Sequence, residues 1–136
     1  MEKIRLKNGQ VFDIIPMSIN TNNNTKSRLF KIISALSSNE IKEIFTKDNI
    51  AIIEYILEDG TINKTYYDCV SLKGTSVEYD AQVDENITAD VYTVELSIDA
   101  IERMILSLKS EIAELKQENQ ILKDTVDVLV LSSLEV

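Results

Sequence analysis

The sequence predicts an α+β protein: a small β-rich head with one short helix, residues 1–97, followed by a long C-terminal coiled-coil helix, residues 98–136. Turn-forming dipeptides, Asn8-Gly9 and Asp59-Gly60, lie within segments rich in β-branched residues. In the last third of the chain, apolar residues instead recur every three and four positions. The first pattern is typical of β-hairpins, because both central residues of a type I′ turn need positive φ, and the second is typical of a coiled coil.

The first 33 residues predict three strands. KIRLKNGQVFDII, residues 3–15, is interpreted as two short strands joined at Asn8-Gly9, and Pro16 closes the second because proline has no N–H to donate to a sheet. The asparagine-rich segment 19–27 has nothing to bury, so we expect an exposed loop there. SRLFKII, residues 27–33, follows as the third strand.

One short helix is expected next. Ser37 and Glu40 have the spacing of a capping box, in which side chains satisfy the free N–H groups of a first helical turn. Ile41, Ile44 and Phe45 then share one face of a helix and are expected to pack on the head.

The middle of the chain predicts a hairpin and then a loop. Almost every residue of the segment 50–57 is apolar, so we expect a central strand covered on both faces, with its turn at Asp59-Gly60. Residues 78–90 are acidic and contain no lysine or arginine, and we interpret them as a solvated loop or irregular edge.

The end of the head is expected to feed directly into the long helix. VYTVELS, residues 91–97, alternates cleanly and places Tyr92, Val94 and Leu96 on the inward face of a strand. Asp99 and Glu102 follow at a spacing that caps the start of a helix.

The C-terminal helix carries a seam of residues at the a and d positions of a heptad. These residues, which we predict to form the oligomerisation surface, are Ile101, Ile105, Leu108, Ile112, Leu115, Asn119, Leu122, Val126 and Leu129. β-Branched residues at a with leucine at d favour parallel two-stranded coils. Asn119 occupies an a position, where asparagine costs stability but fixes the register by pairing with its own copy. The sequence leaves a parallel dimer and a parallel trimer open.

Flanking charges agree with parallel pairing. In a parallel coil each g residue lies near the e residue five positions later on the neighbouring helix, which brings Glu111 to Lys116 and Glu118 to Lys123. We therefore predict two kinds of interhelical ion pair. The alternative is an ordinary amphipathic helix that packs on its own head and leaves these charges solvated.

The last turns of the helix are more apolar than the seam requires. Val128, Val130 and Leu131 fall outside the a and d positions. They predict a segment that docks to another protein, either as a helix in a groove or as an added strand, and the alternative is a fraying helix end with incidental aliphatics.

Composition argues against most enzymatic and nucleic-acid functions. The chain has no histidine, three glycines and one cysteine, Cys69, so we expect no catalytic residue and no cofactor. The formal charge of −9 and the scattered lysines disfavour nucleic acid. The carboxylates in strands (Glu54, Asp68 and Glu95) are interpreted as ordinary polar positions. We also expect no metal site, because the acidic residues of the segment 78–90 lack EF-hand spacing. No segment is long and apolar enough to cross a membrane, and none resembles a signal peptide.

The two ends of the chain resemble a known group of proteins. LKDTVDVLVLSSLEV, after a β-rich head that opens KIRLKNGQVFDI, resembles small structural proteins from the tail and baseplate modules of phages and of phage-tail-like particles (tailocins) of Gram-positive bacteria. The resemblance implies a non-enzymatic structural adaptor, made in the cytoplasm without a signal peptide and then part of a virion or tailocin. Its implied partners are itself and other tail, baseplate or fibre proteins. The alternative is a cytoplasmic regulatory or assembly-chaperone protein that binds a client through its coiled coil.

Overall fold

A computed structural model describes residues 1–134, so residues 135 and 136 of the predicted helical segment lie outside the described residues. Within residues 1–134, eight antiparallel strands form one sheet, accompanied by a short helix, a 3-10 turn (Asn49–Ala51) and a long C-terminal helix. The strands are β1 (Lys3–Leu6), β2 (Val11–Ile14), β3 (Asn20–Asn22), β4 (Ser27–Ile33), β5 (Ile53–Ile56), β6 (Ile62–Tyr66), β7 (Cys69–Asp84) and β8 (Ile87–Ile98). The helices are α1 (Ser38–Ile44) and α2 (Ala100–Leu134). This confirms the β-rich head with one short helix and the long final helix.

The sheet curls so that its two edges approach each other. Its order is β6-β5-β1-β2-β4-β8-β7, with β3 pairing to β4. In a flat sheet, six strand spacings of about 4.8 Å would separate β6 from β7 by about 29 Å. Only Tyr67 and Asp68 join these strands, and three Cα–Cα steps span at most about 11 Å. The sheet therefore wraps around its own core.

The core fills the inside of this curled sheet with alternate residues from the strands. Buried residues face each other directly across the register, as in Ile32 with Tyr92 and Phe30 with Val94. The rest of the core includes Ile4, Leu6, Phe12, Ile14, Ile41, Phe45, Ile50, Ile53, Tyr55, Cys69, Leu96 and Ile98. The prediction that Tyr92, Val94 and Leu96 point inward is confirmed.

Helix α1 forms as predicted. The Ser37 side chain accepts a hydrogen bond from the Glu40 backbone N–H at 3.2 Å, which satisfies one free donor of the first turn. Ile41 and Phe45 are buried and Ile44 is half-buried. The Phe45 ring stacks on that of Phe12 with 5.6 Å between centroids, so α1 is fixed to the core by its apolar face.

The expected strand over residues 50–57 is shorter in the structure. Asn49–Ala51 forms a 3-10 turn, because the Asn49 side chain donates to the Ile44 carbonyl at 2.9 Å and accepts from the Asn8 N–H at 2.8 Å. β5 begins at Ile53 and lies between β1 and β6, so it has a neighbour on each side. The turn at Asp59-Gly60 is confirmed, with Gly60 at φ 86°.

Of the two structures predicted for residues 78–90, the loop is wrong and the irregular edge is confirmed, because β7 is the last strand of the sheet and its register with β8 shifts twice in this segment. β7 and β8 continue through this segment as a two-stranded ribbon, in which Ala81 faces Ala89. Asn86 at φ 61° allows the tight turn, and Asp80 at φ 51° accommodates an extra residue at a bulge. Acidic side chains do not prevent a strand when the ribbon leaves them in water.

The asparagine-rich segment 19–27 also contains a strand. Although the side chains of β3 are exposed, as expected, its backbone pairs with β4. The Asn22 carboxamide oxygen accepts from the N–H groups of Asn24 and Thr25, at 3.0 and 3.2 Å, and so forms the turn that joins the two strands.

The head passes into α2 without a linker. Asp99 caps the helix as predicted, since its Oδ1 accepts from the N–H groups of Ile101 and Glu102, both at 3.0 Å. The chain divides into two compact units, Met1–Arg103 and Met104–Val136, so the first helical turn belongs to the head. Among the residues described, no helix combines the length and apolar character needed to cross a bilayer.

Candidate functional site: the exposed seam of the C-terminal helix

The apolar side chains of the predicted seam are all exposed on α2. Their exposed fractions range from 47% at Ile105 to 72% at Ile101, and Asn119 is exposed among them.

The first turn of α2 contacts the rest of the head through Arg103. Arg103 is 6% exposed, and its Nη1 donates to the Lys47 carbonyl at 2.5 Å. In the heptad that places Ile101 at d, Arg103 occupies f, on the opposite side of the helix. In this first turn, the head therefore contacts the side of the helix that carries Arg103, whereas the seam residue Ile101 is exposed.

The residues of the predicted interhelical ion pairs lie on the exposed surface of α2. In the part of the chain that the structure describes, Glu111, Lys116, Glu118 and Lys123 are exposed and form no ion pair. A polar contact on the helix surface, from Gln120 Nε2 to an Asp124 carboxylate oxygen at 3.0 Å, uses positions b and f instead.

The predicted docking residues are exposed as well. Val128, Val130 and Leu131 are 62%, 51% and 61% exposed, respectively. Sequence reasoning missed Ile121, which is 58% exposed and precedes Val128 by one heptad, at the same c position. The seven-residue spacing between Ile121 and Val128 is the signal in the sequence that could have identified it. Ile121 extends the apolar surface of the helix end towards the middle of α2.

A buried cation inside the head was also missed. Arg28 is 4% exposed, and its guanidinium donates to both carboxylate oxygens of Asp68 at 2.5 and 3.2 Å. The Tyr66 ring lies 3.9 Å from the guanidinium carbon. Arg28 alternates with Phe30 and Ile32 along β4, so its inward direction was readable in the sequence. This contact joins β4 to the β6–β7 connection.

Burial lowers the reactivity of Cys69, which lies beside Arg28 and Asp68. Arg28 Nη1 donates to Cys69 Sγ at 3.5 Å, yet burial raises the pKa of the Cys69 thiol to about 11. A thiol at that pKa is protonated at neutral pH and is a poor nucleophile. The three carboxylates predicted to lie in strands each face a cation: Glu54 pairs with Arg5 at 2.9 Å, Asp68 with Arg28, and Glu95 with Lys73 at 3.4 Å. The strand prediction is wrong for Asp68, which lies in the connection between β6 and β7. No group of three or more acidic or cysteine side chains among residues 1–134 is arranged to hold a metal ion.

Comparisons of the chain with protein-family models, with curated proteins and with solved structures give no significant match.

Proposed function

We propose that this protein is a non-enzymatic structural adaptor that self-associates through the α2 seam as a parallel coiled coil and docks to neighbouring proteins through the apolar end of the same helix. The observation that carries the proposal is a heptad of half-exposed aliphatic side chains along a 35-residue helix. Apolar surface left in water costs about 25 cal/mol per Å², so a second helix that covers the seam stabilises the protein.

Parallel pairing is supported by the charges and by Asn119. A second, parallel α2 helix brings Glu111 near Lys116 and Glu118 near Lys123. Within the described residues of one chain, these four side chains form no ion pairs that would compete. Asn119 meets its own copy only when the helices are parallel and in register, whereas a shifted register buries its carboxamide against an aliphatic side chain.

Docking is assigned to Val128, Val130 and Leu131, because a coil formed by the a and d positions leaves them uncovered. We further propose a phage tail or tailocin baseplate as the assembly, with other tail, baseplate or fibre proteins as neighbours. Support for that location is the resemblance carried by LKDTVDVLVLSSLEV and KIRLKNGQVFDI.

The test is incorporation of a triple variant, Val128→Ser, Val130→Ser and Leu131→Gln, into particles purified from the producing cells. We expect the variant to self-associate normally and to be lost from the particles. Met17→Ser is the control, because Met17 is an apolar head residue that is 89% exposed. Normal copy number of the triple variant would refute docking by this segment. Absence of the unaltered protein from purified particles would favour the regulatory or assembly-chaperone function.

A further inference from the structure

A second heptad stripe runs along the end of α2, on a different side of the helix from the seam. This outer stripe consists of Ile121, Asp124, Val128 and Leu131, which are spaced by three, four and three residues and occupy positions c and f. At about 100° per residue, it lies about 140° around the helix axis from the neighbouring part of the seam. Positions c and f face outward in a parallel dimer or trimer, so self-association through the seam leaves the outer stripe uncovered.

Asp124 is the one charged residue of the outer stripe. The other three residues are aliphatic and more than half exposed. Asp124 Oδ1 accepts a hydrogen bond from Gln120 Nε2 at 3.0 Å, and that donor is neutral. The residues three and four positions away along the helix include no lysine or arginine: Gln120, Ile121, Asp127 and Val128. A helix that covers the aliphatic residues also takes the Asp124 carboxylate out of water, and a buried carboxylate needs a cation beside it.

A second copy and an added strand are both poor occupants of the outer stripe. Two outer stripes that pair in parallel register bring Asp124 to its own copy, and antiparallel pairing about the centre of the stripe places it against Val128. Either arrangement buries a carboxylate without a cation. A partner strand finds no free backbone donors, because residues 121–131 are helical and an α-helix uses its backbone N–H groups internally.

We propose that the outer stripe binds an amphipathic helix of another protein, with aliphatic residues in heptad spacing and one lysine or arginine that faces Asp124. The inference rests on the docking in the proposed function and adds the chemistry of the partner. From Ile121 to Leu131 the stripe is about 15 Å long, so the contact involves about three turns of the partner helix. Each copy of the chain carries one outer stripe, and a parallel coil therefore binds one partner helix per chain.

Two synthetic peptides test the partner chemistry on the full-length chain. Both are amphipathic helices of about three heptads with isoleucine and leucine along one stripe, and a central position of that stripe is lysine in one peptide and glutamate in the other. We expect the unaltered chain to bind the lysine peptide at least about tenfold more tightly than the glutamate peptide, measured by fluorescence anisotropy. Asp124→Lys is expected to invert this preference.

Asp127→Lys is the matched control. It makes the same change of charge on an exposed residue of the same helix, but at position b, outside the outer stripe. We expect this variant to keep its preference for the lysine peptide. Circular dichroism and sedimentation equilibrium establish that both variants are folded and self-associate like the unaltered chain.

The same variants test the proposal with the natural partner. We expect Asp124→Lys to be lost from purified particles and Asp127→Lys to keep its normal copy number. Normal incorporation of Asp124→Lys, equal binding of the two peptides, or binding that survives Val128→Ser combined with Leu131→Gln would overturn the basic helix as the partner. Loss of the triple variant from particles would in that case still support docking. Normal copy number of the triple variant would overturn the docking itself.

Discussion

Leu115→Ser is expected to weaken self-association strongly. Leu115 lies at a d position in the middle of the seam and is 56% exposed in the single chain. Full burial of a leucine stabilises by about 1.5–3 kcal/mol, so covering the exposed part yields about 0.8–1.7 kcal/mol per copy and about 1.7–3.4 kcal/mol for a facing pair. That range corresponds to an increase in the dissociation constant of about 20- to 300-fold.

Ile121→Ser is the matched control for this change. Ile121 is an aliphatic residue of the same helix with a nearly equal exposed fraction, 58%, but it occupies position c, away from the seam. Sedimentation equilibrium over a range of protein concentrations gives the dissociation constants of both variants and of the unaltered chain. Equal weakening by the two changes would refute the heptad phase, and so would a Leu115→Ser variant that associates as tightly as the unaltered chain.

Three further predictions concern the coil and the head. Asn119→Ile is expected to raise the melting temperature of the associated protein, measured by circular dichroism, because an aliphatic side chain replaces a buried carboxamide. It is also expected to allow more than one number of helices in the coil, measured by sedimentation. A lower melting temperature would mean that Asn119 is not at the interface. Asp68→Asn leaves the buried Arg28 guanidinium without its counter-charge and is expected to lower the free energy of unfolding in urea by about 2–3 kcal/mol. This is less than for a fully buried pair, because the Asp68 side chain is 31% exposed. Asp48→Asn, in an exposed pair with Lys7, is the control and is expected to cost about 0.5 kcal/mol or less. Burial and a hydrogen bond to the Glu2 carboxylate raise the pKa of Tyr55 to about 12 from an ordinary value of 10. The contribution of Tyr55 to the free energy of unfolding is therefore expected to be constant below pH 10 and to fall between pH 10 and 12. Tyr55→Phe is expected to remove this part of the pH dependence, measured by urea unfolding.

Local chemistry made several elements of the fold predictable. Asn8-Gly9 forms a turn as predicted, and Ser37 caps α1, because each feature depends on neighbours within a few residues. The type I′ geometry expected for Asn8-Gly9 is wrong, because Gly9 has a positive φ of 89° but Asn8 does not. The ribbon at residues 78–90 was missed for the opposite reason. Its strands are held by pairing to each other, and the acidic composition by itself suggested a loop.

The candidate site divides in the same way. The seam of α2 follows from a repeat along one helix, so its residues and their shared face were readable from the sequence. The contact of Arg28 with Asp68, by contrast, joins residues 40 positions apart. Such sites depend on how the sheet curls, which no local pattern of residues specifies.

The most direct test of self-association is sedimentation equilibrium of the intact protein at micromolar concentration. We expect the mass of two or three chains, and we expect the mass of the Leu115→Ser variant to shift towards that of one chain. A single-chain mass for the unaltered protein across that concentration range would contradict the proposal that the α2 seam binds another copy.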